Sequence, residues 1–448
     1  MGRPAPQTRS GLFVVLLCFL TIVADGYDLI VYGATVPNLL DQPGWHMTAG
    51  TAGLIGSWTL VGLMVGFLLA GPATDRIGRR KVLMVGIVWF SAGSAICALA
   101  QSPEFLGIAR FVTGIGLGGV VPSAVALTVE YAPTTRRQLY NGLTLTGYSV
   151  GGIVAALAAL ALLPDHTWRL LYGLAALYIL ILPVMYFFLP ESVNHLILRG
   201  RTDEARRVAS RYGLDVDALS RDHDARPVQQ ASGEPGPSGY RLLLSRRYIA
   251  TAALFVIICF CAQLIVYGLN TWLPQLMRKA GYPLGSSLQF LLVLQLGAVV
   301  GTLGGSLLAD RYGSKRVIIP AFLVGGVSLL ALSRPLDVTL LMIAVAGAGL
   351  GSVGSSSLTY GYVAAHFPAS CRGSAVGAAM GLARAGAILG PLIGGWIADS
   401  ALGFQWNFYA FAVPALVAAA FASFVARSNP APDSEGLRGS TALPEPIN

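Results

Sequence analysis

The chain has 448 residues, of which 54% are hydrophobic and only 11% charged. Soluble globular chains carry about 25% charged residues, so most side chains here face lipid or one another, and a soluble enzyme or binding domain is excluded. The formal charge of +9 brings nucleic acid to mind as a partner, but the positions of the charges set that reading aside.

Apolar runs long enough to cross a bilayer, about 20 residues, recur from end to end. They fall near 12–38, 48–72, 82–100, 104–128, 139–163, 169–189, 248–276, 286–309, 316–333, 337–365, 374–398 and 405–426, twelve predicted spans in all. The first follows Arg3 and Arg9 as a signal peptide would. It continues past two aspartates, however, and has an internal counterpart, so a span is expected. Cys18, Cys97, Cys259, Cys261 and Cys371 lie mostly within spans, and no disulfide or metal-ligand spacing is visible. With the N-terminus placed in the cytoplasm, only Arg169, Arg278, Lys279 and Arg334 fall outside. Arg110 and Arg384 lie within spans, and the rest of the 30 Lys and Arg are inside. This distribution obeys the positive-inside rule and puts both termini in the cytoplasm. The basic balance therefore orients the chain, and no nucleic-acid partner is expected. Only three of the basic residues are Lys, while Ala and Gly abound. That bacterial, GC-rich style of composition points to the inner membrane.

A single offset relates the two halves. "DLIVYG" (28–33) returns as "QLIVYG" (263–268), "TDRIGRRKV" (74–82) as "ADRYGSKRV" (309–317), "GIGLGG" (114–119) as "GLGSVG" (349–354), and "YAPTTRR" (131–137) as "HFPASCR" (366–372), each 235 residues on. Spans 1–6 and 7–12 are thus copies of one unit. Between them lies a polar stretch holding the helix candidate "TDEARRVASRYG" and the Pro/Gly/Ser-rich "RPVQQASGEPGPSGYR", which cannot form a packed core. The expectation is an all-α membrane protein built from two pseudo-symmetric six-helix bundles, residues 1–189 and 248–427. A cytoplasmic linker at 190–247 joins them, and a disordered cytoplasmic tail follows at 428–448. Two such halves resemble the major facilitator superfamily, whose members hold substrate near the membrane midplane between the repeats and expose it to each side in turn.

The motifs sharpen that resemblance. "GPATDRIGRRKVL" (71–83) is similar to the superfamily's signature loop after span 2. Asp75 ends a span while Arg76, Arg79, Arg80 and Lys81 sit at the surface, an arrangement that can latch one conformation and release another. The plain reading is a charged turn. The second copy offers Asp310 and Arg311 but has Ser306 in place of Gly71. "LPESVNHLILRGR" (189–201) resembles the segment that closes span 6 in several branches of the superfamily.

Arg110, in "ARFVTGIGLGG", resembles the span-4 arginine of proton-coupled members. An arginine about two turns into the bilayer is costly unless paired or facing water; the plain reading is snorkelling toward the surface near Glu104. Val345 stands at the equivalent place in the second half, so the repeat folds without it. Glu130 has Ala365 as its counterpart; pairing with Arg136 or Arg137 stands level with a gating or proton role. Arg384 lies near the middle of span 11 among Gly and Ala, with Ser149 as its counterpart. A guanidinium at that depth suits a carboxylate, which it can bind bidentately, or an ion pair with a span-1 aspartate.

In "ADGYD", Asp25 and Asp28 share a helical face, about 20 Å of helix inside the membrane. Two adjacent carboxylates there cannot comfortably both ionise, which suits them to take up and release a proton. The other half has Phe260 and Gln263. A salt bridge with a span arginine and a cation site are the plainer readings. Aromatic residues that can stack on a ring include Tyr32, Tyr148, Tyr267, Trp272, Tyr360 and Tyr362. Tyr148, beside Ser149, stands out because the repeat sets it opposite Arg384.

"DGYD", "PESVNHL", "YGLNTWLPQLM" and "CRGSAVGAAMGLARAGAILGP" together resemble the aromatic acid:proton symporters, over essentially the whole chain outside 202–247. The resemblance implies import of a benzoate, hydroxybenzoate, gentisate, protocatechuate or vanillate, with the proton as coupling ion, no cofactor and a monomeric protein. It implies roles in uptake for Asp25, Asp28, Asp75, Arg110, Glu130, Arg372 and Arg384. A non-aromatic acid such as muconate or shikimate is the alternative cargo. Drug efflux is disfavoured because span 5, "GYSVGGIVAALAAL", lacks the proline of the antiporter element. An intramembrane aspartyl protease would need acids converging from two helices, and a sensor would bind without accumulating.

Overall fold

In lipid every backbone N–H and C=O must find its partner within the segment, so the apolar runs form helices. The computed structural model describes residues 9–133, 136–214 and 239–425. Twelve helices in it are long and apolar enough to cross a membrane: span 1 Gly11–Leu40, span 2 Ala49–Ile77, span 3 Arg79–Ala98, span 4 Pro103–Tyr131, span 5 Leu139–Leu162, span 6 Arg169–Phe188, span 7 Ile249–Lys279, span 8 Leu284–Tyr312, span 9 Ser314–Leu332, span 10 Val338–His366, span 11 Cys371–Asp399 and span 12 Gln405–Phe424. The predicted spans fall on these helices. Residues 215–238 of the predicted linker and the whole of the predicted tail lie outside the described residues.

Local sequence sets the ends. The Thr48 side chain accepts from Thr51 N to start span 2, and Ser102 with Pro103 at the first turn starts span 4. Such caps satisfy donors that a helix start leaves orphaned. Spans 2 and 3 are joined by Gly78 alone and spans 8 and 9 by Gly313 alone, at φ of 94° and 88°. Only glycine adopts those angles without strain, and the two positions are 235 residues apart.

The duplication is also visible in packing. Within the first bundle span 1 lies on span 5 and span 2 on span 4; within the second, span 7 lies on span 11 and span 8 on span 10. Span 4 breaks between Leu117 and Val120, and span 10 carries a π turn at Leu350–Gly354, so helix irregularity recurs at equivalent places. Between the bundles, span 2 packs on span 11, span 5 on span 8 and span 1 on span 7.

Among the described residues, hydrogen bonds between the bundles gather at one end. Asp399, at the end of span 11, accepts from Ala49 N at 2.8 Å and from Gly50 N at 2.5 Å. Arg278 pairs with Asp41 at 2.7 Å and donates to the Pro37 carbonyl. Ser57 Oγ donates to the Ile388 carbonyl at 2.6 Å. These contacts lie in the half of the membrane away from the signature loops. The bundles are therefore clasped at the far end.

Candidate functional site

Where span 1 crosses span 5, the two backbones touch. A Cβ on Gly26 would lie 2.1 Å from the Tyr148 carbonyl oxygen, so only glycine fits at this position next to Asp25. This contact sets Asp25 beside span 5 at mid-depth. Asp28, one turn on, turns into the first bundle.

There Arg110 Nη1 donates to Asp28 Oδ1 at 2.7 Å and Nη2 to the Asp28 carbonyl at 3.2 Å. Both side chains are buried, at 1% and 0% exposure. The guanidinium also stands over the rings of Tyr32 and Tyr172, 5.3 and 5.8 Å from their centroids. Arg110 therefore does not snorkel; its charge is held by Asp28 and two ring faces. Tyr32, expected at the ligand, belongs to this internal cluster: it is 1% exposed and its hydroxyl donates to the Ala52 carbonyl. The turn from Asp28 to Tyr32 carries it into the bundle with Asp28.

A second group gathers at the seam between the bundles. Arg384 Nη1 donates to Tyr267 Oη at 3.5 Å. The Tyr148 and Tyr267 rings meet edge to face, 6.5 Å apart. The Arg384 guanidinium also lies 6.0 Å from the Phe67 ring of span 2. Asp25, Tyr148, Tyr267 and Tyr360 are all within electrostatic reach of Arg384. Tyr148, Tyr267, Tyr360 and Arg384 remain partly exposed although they lie deep in the spans. Asp25 is buried, and its Oδ1 has no hydrogen-bond partner; neither has the Tyr148 hydroxyl. Among the described residues no ion pair ties Arg384 to Asp25. Ser149 is buried and lies 100° around the helix from Tyr148. The arrangement joins a cation, an acid with a free oxygen and aromatic faces, drawn from both bundles.

The loop-end motifs form a third group. Glu130 pairs with Arg79 at 3.2 Å, accepts from the Ser192 hydroxyl at 2.7 Å, and accepts from Val193 N and Asn194 N at the start of the short helix Val193–Leu198. These partners come from two other segments; of the expected partners Arg136 and Arg137, the side chain of Arg137 lies outside the described residues. Arg80 N donates to Glu191 at 3.1 Å, and the Arg80 guanidinium covers the Tyr186 ring. Asp75 and Arg76 have exposed side chains, and their carbonyls accept from Arg199. Asp310, Arg311 and Arg372 are exposed, with Arg372 Nε donating to the Phe367 carbonyl. Sequence reasoning missed the role of Ser192 and the helix start behind it as the seat of Glu130, and of Glu191 as the acceptor for Arg80 N. The Ser before a short apolar helix was the available signal.

Two bundles of six spans, closed on one face around a charged seam, define a secondary transporter. The family model of the Major Facilitator Superfamily matches residues 18–332 and 293–447, and the chain belongs to that superfamily. It is 34% identical over 410 residues to a protein named benzoate transport protein in Acinetobacter baylyi, covering 90% of this chain and 87% of the relative. It is 33% identical to the gentisate transporter of Corynebacterium glutamicum, covering 93% and 88%, and 33% identical to the gallate transporter of Pseudomonas putida, covering 91% and 90%. The fold is similar to the xylose transporter XylE of E. coli in a partially occluded inward-open conformation, with a TM-score of 0.73, 19% identity, and 94% and 98% of the two chains covered.

Proposed function

We propose that the protein imports an aromatic carboxylate together with protons, by alternating access of the seam between its two bundles. The observation that carries this reading is Arg384: a cation at mid-depth, between bundles, bonded to a tyrosine and within reach of Asp25. It would hold the carboxylate, with Tyr148, Tyr267 and Tyr360 against the ring. The relatives named for benzoate, gentisate and gallate support an aromatic cargo.

Asp25 would carry the coupling proton, with Asp28 and Arg110 as the pair that responds to it. An anion entering a negative-inside cell works against about 2.3 kcal/mol per 100 mV. One proton carried with it removes that opposition, and a second makes the potential a driving force. Neutralising Asp25 would also remove its repulsion of an incoming carboxylate. No cofactor enters this cycle. Glu130, Arg79, Arg80 and Asp75, with Asp310, Arg311 and Arg372 in the second half, would gate the loop end. By the distribution of basic residues that end faces the cytoplasm, both termini are cytoplasmic, residues 190–247 link the bundles, and the protein works as a monomer in the inner membrane.

The test is uptake into proteoliposomes with an acid exterior, offered benzoates, hydroxybenzoates, gentisate, muconate, shikimate and a hexose, with trapped contents read by mass spectrometry. The expected result is accumulation of an aromatic acid that a protonophore abolishes and that Arg384→Ala and Asp25→Asn each lose. Accumulation of muconate or shikimate alone would discard the ring. Outward movement of cationic dyes with no acid accumulated would replace import by efflux.

A further inference from the structure

Gln295 of span 8 is fully buried, and neither its Oε1 nor its Nε2 has a hydrogen-bond partner. A side-chain amide offers two donors and an acceptor oxygen, and buried amides in folded proteins are nearly always paired. Its surroundings come from the other bundle. A Cβ on Gly152 would lie 1.9 Å from Nε2 and 2.3 Å from Ile30 Cδ1, so the amide reaches across the seam to spans 1 and 5, into space that glycine leaves open. The equivalent residue of the first half is Leu60; the repeat packs without an amide there.

Gly152 lies one helical turn beyond Tyr148 on the same face of span 5. Ala298, one turn along span 8 from Gln295, packs with Val266 and Val353 against Tyr148 and Tyr267. Gln295 thus stands about 5.4 Å along the helix axis beyond the two rings, toward the closed end. A ring whose carboxylate rests on Arg384, itself bonded to Tyr267, would turn its far substituent toward this amide. A second carboxylate would call for a cation at that place. A neutral amide that can both donate and accept matches a hydroxyl, which does the same.

We propose that Gln295, together with the Tyr148 hydroxyl, recognises a hydroxyl on the substrate ring, so that the protein selects hydroxylated benzoates over benzoate. This rests on the proposed function, since it takes Arg384 to hold the carboxylate.

Initial uptake of benzoate, 3-hydroxybenzoate, 4-hydroxybenzoate and gentisate would be measured in proteoliposomes for the wild type, Gln295→Leu and Tyr148→Phe. The wild type is expected to favour at least one hydroxylated acid. Gln295→Leu is expected to lower the ratio of kcat/KM for that acid over benzoate by about tenfold or more, the effect of leaving one buried hydroxyl unpaired. Tyr148→Phe, which removes only an unpartnered hydroxyl, reads the same ratio should the Leu variant fail to fold. Equal transport of benzoate and its hydroxylated forms by the wild type would overturn the assignment while leaving the proposed function standing. A uniform loss across all four acids in both variants would overturn it too, making these residues structural. If the wild type takes up none of the four but accumulates another acid, the proposed function fails first.

Discussion

The Asp28–Arg110 pair allows the sharpest quantitative expectation. At 2.7 Å between buried side chains, the Coulomb attraction at an effective dielectric near 20 is about 6 kcal/mol. Desolvation of both ions offsets much of that. Removing one partner is different, because the survivor is left charged and unpaired. Arg110 Nε and Asp28 Oδ2 already lack partners, so neither a further acceptor for Arg110 nor a further donor for Asp28 stands ready to take over. Asp28→Asn and Arg110→Gln are each expected to cost about 3–5 kcal/mol. The double variant, which leaves no charge, is expected to cost at least ~2 kcal/mol less than the sum of the two. The assay is a double-mutant cycle on unfolding in detergent micelles followed by tryptophan fluorescence. Additivity within about 0.5 kcal/mol would refute the claim that the two act as a unit.

Gly26→Ala is expected to abolish uptake and lower the yield of folded protein, because its Cβ would lie 2.1 Å from the backbone of Tyr148 and no rotamer can relieve that; expression as a monodisperse peak with normal uptake would count against the crossing. Asp399→Asn weakens the charge-assisted bonds to Ala49 N and Gly50 N, each worth about 1.5–3 kcal/mol. Pairs of spin labels across the far end should then report a wider distance distribution, and an unchanged one would deny that these bonds hold the closure.

The helix pattern of the sequence made twelve spans and their pairing by duplication legible, because both depend on local composition and on one constant offset. It also drew attention to Asp25, Asp28, Arg110 and Arg384. What periodicity cannot say is which neighbour a helix face meets. Asp28 and Tyr32 share the face that turns into the first bundle, so the tyrosine serves Arg110 instead of a ligand. Asp25, one turn earlier beside the Gly26 crossing, lies within electrostatic reach of Arg384 instead. Glu130 found its partners 51 residues upstream in Arg79 and more than 60 downstream at the Ser192 cap, where no nearby residue could have pointed. Gln295 sits in no motif at all; only its unfilled hydrogen bonds single it out.

Asp399 sits at the end of its own helix, where the dipole of span 11 opposes a negative charge, and caps the start of a helix in the other bundle, where the dipole of span 2 favours it. The carboxylate is thus poorly placed within span 11 and well placed only when the two bundles meet. Its partners, Ala49 N and Gly50 N, are main-chain groups that neither titrate nor vary with residue identity. Once the bundles part, water can take the place of both bonds. Such a clasp can close and reopen without a proton of its own.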